Sequence, residues 1–139
     1  MATFNKFNAF VADVANKVHN LGADTLKIML TNVAPVATNA VKADLTDIAA
    51  GNGYSAGGTA VTITSSAQSS GTYKLIGNNV TFTASGGTIA TFRYAAIYNS
   101  TAASGNLIGW WDYGTTVSVT NGNSFQVQLD ASNGILQLA

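Results

Sequence analysis

Few residues in this chain can do acid–base, nucleophilic or metal chemistry. It contains no Cys, no Glu, one His (His19) and six Asp. A lone His with a Ser and an acid is the minimum for a hydrolytic triad. No nucleophile-elbow pattern is present, and His19 falls at the end of an expected helix. The expectation is a helix-end residue bonded to backbone or water. Asp44 and Asp47 are three apart and would share a helical face, but they lack EF-hand spacing. Asp44 reads as the N-cap of a short helix. Asp112 and Asp130 lie on or at the ends of expected strands and could in principle meet as the opposed carboxylates a glycosidase needs, though nothing in the sequence brings them together. An interior salt link between one of them and Arg93 is the simpler reading. No set of His or Cys ligands exists for zinc. The residues therefore point away from an enzyme and call for no metal and no cofactor. The Gly-rich stretch Gly51–Gly58 has no Lys followed by Ser or Thr and no helix behind it, so it is a tight corner rather than a phosphate loop.

The aromatics are more suggestive. Trp110, Trp111 and Tyr113, with Tyr94 and Tyr98, could form a stacking platform for sugar or single-stranded nucleic acid. Exposed Trp and Tyr also anchor protein interfaces. Adjacent Trp residues on a strand point to opposite faces, so one belongs to the core and the other to a surface or an interface. Contact with another protein is the favoured reading.

The elements that must position these residues change period once. Phe4, Phe7, Val11, Val14, Val18 and Leu21 recur at spacings of three and four, which predicts one helix over about 3–21. Thr3 is its expected N-cap and Gly22 its C′ residue. This helix docks on its own domain or on a neighbour. From Asp24 the period becomes two. Strands are expected at Thr25–Thr31, Thr59–Ser65, Thr72–Ile76, 80–84, Thr91–Asn99, Asn106–Tyr113, Val117–Val119, Phe125–Leu129 and Ile135–Leu138. A short helical turn is expected at Lys42–Ala50, and an exposed loop tip at Ser65–Gly71. Phe92, Tyr94, Ala96 and Tyr98 would share one face. Leu107, Trp111 and Tyr113 would lie opposite Ile108, Trp110 and Asp112. Short strands between turn signals such as Asn121-Gly122 describe an antiparallel β-sandwich, jelly-roll-like, over about 24–139. At 139 residues the chain is expected to form a single domain.

The six basic and six acidic groups cancel and are scattered singly. Nucleic-acid binding wants a clustered basic patch, and no stretch is apolar enough to span a bilayer. Neither partner is expected, nor is a secretory signal, so synthesis in the cytoplasm is the default. Low charge leaves little repulsion between copies.

The run Val18-His19-Asn20-Leu21-Gly22-Ala23-Asp24-Thr25-Leu26, with Ala43-Asp44-Leu45-Thr46-Asp47-Ile48 and Gly51-Asn52-Gly53-Tyr54, resembles a group of small virion proteins of tailed bacteriophages. Tyr94-Ala95-Ala96-Ile97-Tyr98-Asn99, Ile108-Gly109-Trp110-Trp111-Asp112-Tyr113-Gly114 and the terminal Asp130…Gly134-Ile135-Leu136 continue it across nearly the whole chain. The resemblance implies a head decoration, or cement, protein on the capsid surface. Such a protein binds the outside of the assembled head and bridges subunits of the major capsid protein, here as a homo-oligomer, dimer or trimer. The alternative it leaves open is a tail- or fibre-associated protein, including a receptor-binding one. It brings no catalytic residues. Phe4, Phe7, Val11, Trp110, Trp111 and Tyr113 become the expected contact residues.

Overall fold

The computed structural model describes residues 2–139 and is an antiparallel β-sandwich with one N-terminal helix. The first layer is a five-stranded sheet. It contains β1 (Phe4–Lys6), β2 (Leu26–Thr31), β3 (Thr59–Ala60), β7 (Ile89–Asn99) and β8 (Leu107–Val119), in the order β1-β8-β7-β2-β3. The second layer has two pieces. One is β4 (Ile63–Ser69), β5 (Thr72–Gly77) and β10 (Leu136–Leu138), in the order β10-β5-β4. The other is the pair β6 (Val80–Thr83) and β9 (Ser124–Val127). Inward side chains alternate as a half-buried strand demands: Leu26, Ile28 and Leu30 of β2 meet Leu75, Phe82 and Val127 from the opposite layer. Each such fully buried side chain contributes roughly 1.5–3 kcal/mol of apolar transfer energy.

The expected helix over 3–21 is a strand, a helix and a loop. Phe4–Lys6 pairs with β8, Phe4 opposite Trp111 and Lys6 opposite Gly109. Gly109 makes this possible, because a Cβ there would overlap the Phe4 ring. Thr3 therefore precedes a strand and caps no helix. The helix α1 runs only from Asn8 to Ala15. It closes with the paired bonds of a Schellman turn: Val18 N–H donates to Asp13 O (2.8 Å) and Lys17 N–H to Val14 O (3.3 Å). Lys17, at φ 65°, takes the left-handed position expected of Gly22.

Two irregularities move side chains between faces. Ile97 pairs with Gly109 but Tyr98 with Leu107, so Ile108 is an extra residue in β8. The bulge puts Leu107 on the face of Trp110 and sends Ile108 to the core with Trp111, reversing the expected assignment of both. A second shift, between Phe92 and Tyr94, puts Phe92 in the core while Tyr94 stays half-buried. The strand expected over Thr59–Ser65 is two short pieces, and its second piece runs on through Ser69. Ser65-Ser66-Ala67-Gln68-Ser69 is thus strand rather than loop tip. The helical turn expected at Lys42–Ala50 is one turn of 3-10 helix, Lys42–Asp44.

Strands β2, β7 and β8 are apolar on both faces because both are covered. The outer face of the five-stranded sheet carries a second small core of Met29, Ala96, Tyr98 and Leu107, closed by Leu45 and Phe7. That cover comes from the chain's own 32–58 segment and from the residue before α1. The 32–58 segment lies close: a Cβ on Gly58, at φ 80°, would collide with Ile28 O.

Candidate functional site

Of the six expected contact residues, Val11 on α1 is the most exposed, at 55%. Phe7 is fully buried and Trp111 nearly so. Neither can touch a partner, because Phe7 closes the outer small core and Trp111 faces between the layers. Phe4 is half-buried against Trp111, ring centroids 5.3 Å apart. Tyr113 is half-buried edge-on to Phe125 at 4.8 Å, and burial raises its phenol well above the ordinary range. Trp110 alone of the aromatic strand sits at an outer surface. It is half-buried and lies over Phe7 at 4.5 Å.

Further apolar groups lie beside it. The Asn8 N–H at the start of α1 donates to Ala37 O at 2.8 Å, tying the helix to the loop that carries Val33 and Val36. Val36 is 53% exposed and Val33 39%. The loop of Val36 is thus tied to the residue after Phe7, the side chain that Trp110 covers, and Val11 lies three residues further along α1. Sequence reasoning misses the loop residues, because Asn32–Asn39 reads as a connector around Pro35. Two valines near a proline give no periodic signal.

The titratable groups form structural networks. His19 is buried, contrary to the helix-end expectation, and is held by a side chain 80 residues away. Asn99 organises the cluster. Its Oδ1 accepts from Thr101 and Ala102 N–H (2.9 and 3.2 Å), which fixes the amide orientation. Its Nδ2 then donates to Asp24 Oδ2 (2.6 Å) and to His19 Nδ1 (3.1 Å). Because Nδ1 accepts, the neutral ring carries its proton on Nε2. That atom has no hydrogen-bond partner among the described residues and lies 3.9 Å from Asp13 Oδ2. Burial lowers the His19 pKa below its ordinary 6.5, against the opposing pull of Asp13 and Asp24.

Asp44 is no N-cap. It ends the 3-10 turn and reaches back to the N–H groups of Ala40 and Val41 (2.8 and 3.1 Å), which holds its carboxyl below the usual range. Asp47 does separate work. It accepts the Tyr54 hydroxyl and Gly57 N–H (2.6 Å), while the Tyr54 Oη accepts Leu30 N–H (3.0 Å). This pins the 42–58 segment to β2. Asp130 bonds Ser132 and Asn133 N–H within its own turn, both at 2.8 Å. Asp112 takes Arg93 in a two-pronged pair at 2.8 and 3.1 Å. That link is present but lies at the surface, both side chains about 40% exposed, rather than in the interior.

An open cleft of about 460 Å³ runs beside His19, lined by Lys17, Asp24, Ser66 and Tyr73. Another, of about 490 Å³, lies where Lys42 sits over the Tyr98 ring at 5.5 Å. Neither joins a nucleophile to a free base. Among the described residues no three His, Cys, Asp or Glu stand at metal-binding spacing, and no helix is long and apolar enough to cross a membrane. No family model matches this chain, and neither a curated protein nor a solved structure matches it significantly.

Proposed function

We propose that this chain is a structural protein of a tailed-phage virion that decorates the head, binding the outside of the assembled shell and bridging subunits of the major capsid protein. The observation that carries this reading is the exposure of three large apolar side chains, Val11, Val36 and Trp110, on elements that join at Phe7 and Asn8. The chain covers both faces of its large sheet with its own residues, yet leaves these three partly or mostly in solvent. Contiguous exposed apolar groups mark an interaction surface, and these three are the residues from which one would be built. A cement protein needs a stiff body, little net charge and a contact face. It needs no convergent catalytic groups, since binding the assembled shell and not its free subunits stabilises the shell by mass action.

The test has two arms. Gold-labelled antibody on intact virions is expected to cover the head, and label confined to the tail would overturn the reading. Purified protein is expected to bind shells that lack it and raise their melting temperature. Trp110→Ala and Val36→Asp should weaken that binding while leaving the far-UV spectrum unchanged. Full binding by both folded variants would dismiss this face as the contact.

A further inference from the structure

We infer that the free edge of β4 pairs, strand to strand, with β4 of a second copy of this chain about a two-fold axis. A sheet edge presents unpaired N–H and C=O groups, and isolated domains guard such edges by shortness, charge, proline or bulges. Other edges here are guarded. β1 has three residues and ends in Lys6, β3 has two, β10 has three, and β6 and β9 have four each. The outer edge of β8 beyond Trp111 is broken by residues that skip pairing with β7 around Gly114, at φ 80°.

β4 is the exception. It has seven residues and one neighbour, β5, and it carries no charge, proline or glycine. Its register is irregular only between Ile63 and Ser65, so Ser65–Ser69 is a regular run. The turn that follows has Ser70 and Gly71 at φ 51° and 82°, the geometry of a tight two-residue hairpin whose twist suits continued pairing.

The occupant follows from side chains. A foreign peptide that adds to an edge gains specificity from pockets that take its alternate residues. Exposed Thr64, Ser66, Ala67, Gln68 and Ser69 offer small surfaces, and the open cleft beside His19 that Ser66 borders is one pocket rather than an alternating row. Two-fold self-pairing needs none. An isologous contact sets each residue against its symmetry mate's neighbours, and with Ala67 near the axis, Ser65 meets Ser69 and Ser66 meets Gln68. No like charges oppose one another. The nearest cation on this sheet, Lys74, lies opposite Ala67 on β5 and bonds Ser132 O at 3.3 Å. The contact uses none of Val11, Val36 and Trp110 and does not depend on what they bind.

Sedimentation across a concentration series is expected to show a reversible dimer. Ala67→Lys would place like charges together and raise the dimer Kd by more than about tenfold. Thr115→Lys, on the guarded β8 edge, should leave it unchanged. Hydrogen exchange on the unaltered protein gives a readout that needs no variant: amides of Ser65–Ser69 should gain protection as concentration rises. A protein that stays monomeric, a dimer that survives Ala67→Lys, or β4 exchange independent of concentration would overturn the inference.

Discussion

Replacing Asn99 by Asp should reverse the sign of one pH dependence. In the native network Asn99 Nδ2 donates to both Asp24 (2.6 Å) and His19 Nδ1 (3.1 Å). The His19 ring is therefore met by a donor where its second proton would go. Burial holds the folded pKa below 6.5 against the pull of Asp13 and Asp24, and a donor at Nδ1 acts in the same direction as burial. The unfolded chain then binds the proton more readily. Stability linked to His19 is complete above pH 6.5 and declines as pH falls from 6.5 through the folded pKa. Each tenfold difference in proton affinity between the folded and unfolded chain is worth about 1.4 kcal/mol. In Asn99→Asp the donor becomes a carboxylate at nearly unchanged volume. Two effects follow. Above neutrality the variant loses a charge-assisted bond and sets two carboxylates within hydrogen-bond distance, a cost of about 3–5 kcal/mol. Below neutrality a protonated His19 gains an acceptor, so its folded pKa rises above 6.5. The variant's stability linked to His19 should then be present below 6.5 and be lost as pH rises through the raised value. Because the chain has one His, a two-dimensional NMR titration of the imidazole reports it without assignment. Urea unfolding at pH 5.5 and pH 8 gives the matching stabilities. If His19 in Asn99→Asp still titrates below 6.5, or if the variant loses as much stability at pH 5.5 as at pH 8, the donor role given to Asn99 is wrong.

Other expectations are simpler. Gly58→Ala drives a Cβ into Ile28 O at a positive φ, so it should cost about 3 kcal/mol or more and lower the melting temperature measured by circular dichroism. Trp111→Ala should cost about 3–5 kcal/mol, because Trp111 is 3% exposed in the main core, whereas Trp110→Ala should cost clearly less in the same unfolding assay. Arg93→Ala should leave the melting temperature unchanged within error, because the pair with Asp112 is exposed and screened. Asp44 and Asp130 have folded pKa values lowered from 3.8 by hydrogen bonds, led by Ala40 N–H and Asn133 N–H respectively. Their contribution is present above that value and lost as pH falls below it, so acid unfolding should deepen again below about pH 4.

The strands are legible because period-two alternation is a direct consequence of the pleat. Leu26, Ile28 and Leu30 share a face by alternation and lie in one core. The N-terminal stripe misleads because Phe4 and Phe7 also suit a strand followed by a turn. Their partners, Trp111 and Trp110, lie more than a hundred residues along the chain. Face assignments fail at Phe92, Leu107 and Ile108, where a bulge or register shift inverts the alternation and leaves no local mark. The His19 network is illegible for the same reason. Asn99 looks like any residue ending a strand, and its significance comes from Asp24 and His19, 75 and 80 residues away. The exposed valines around Pro35 matter only because the loop is tied to α1.

The pairing of Phe4 with Trp111 also sets when this protein can become itself. On a ribosome Phe4–Lys6 emerges about a hundred residues before its partner in β8 and stays unpaired until that strand has been made. The closure of Phe7 beneath Trp110 waits nearly as long, and the latch from Asn99 to Asp24 waits for 75 residues of chain. Native pairings of such long sequence separation fold slowly, because the loop entropy is lost before the contacts form. Phe4 and Phe7 therefore spend that interval as apolar, unprotected groups. Expression at lower temperature, or with chaperones that hold Phe4, Phe7 and Phe10 out of other chains' reach, should raise the soluble yield.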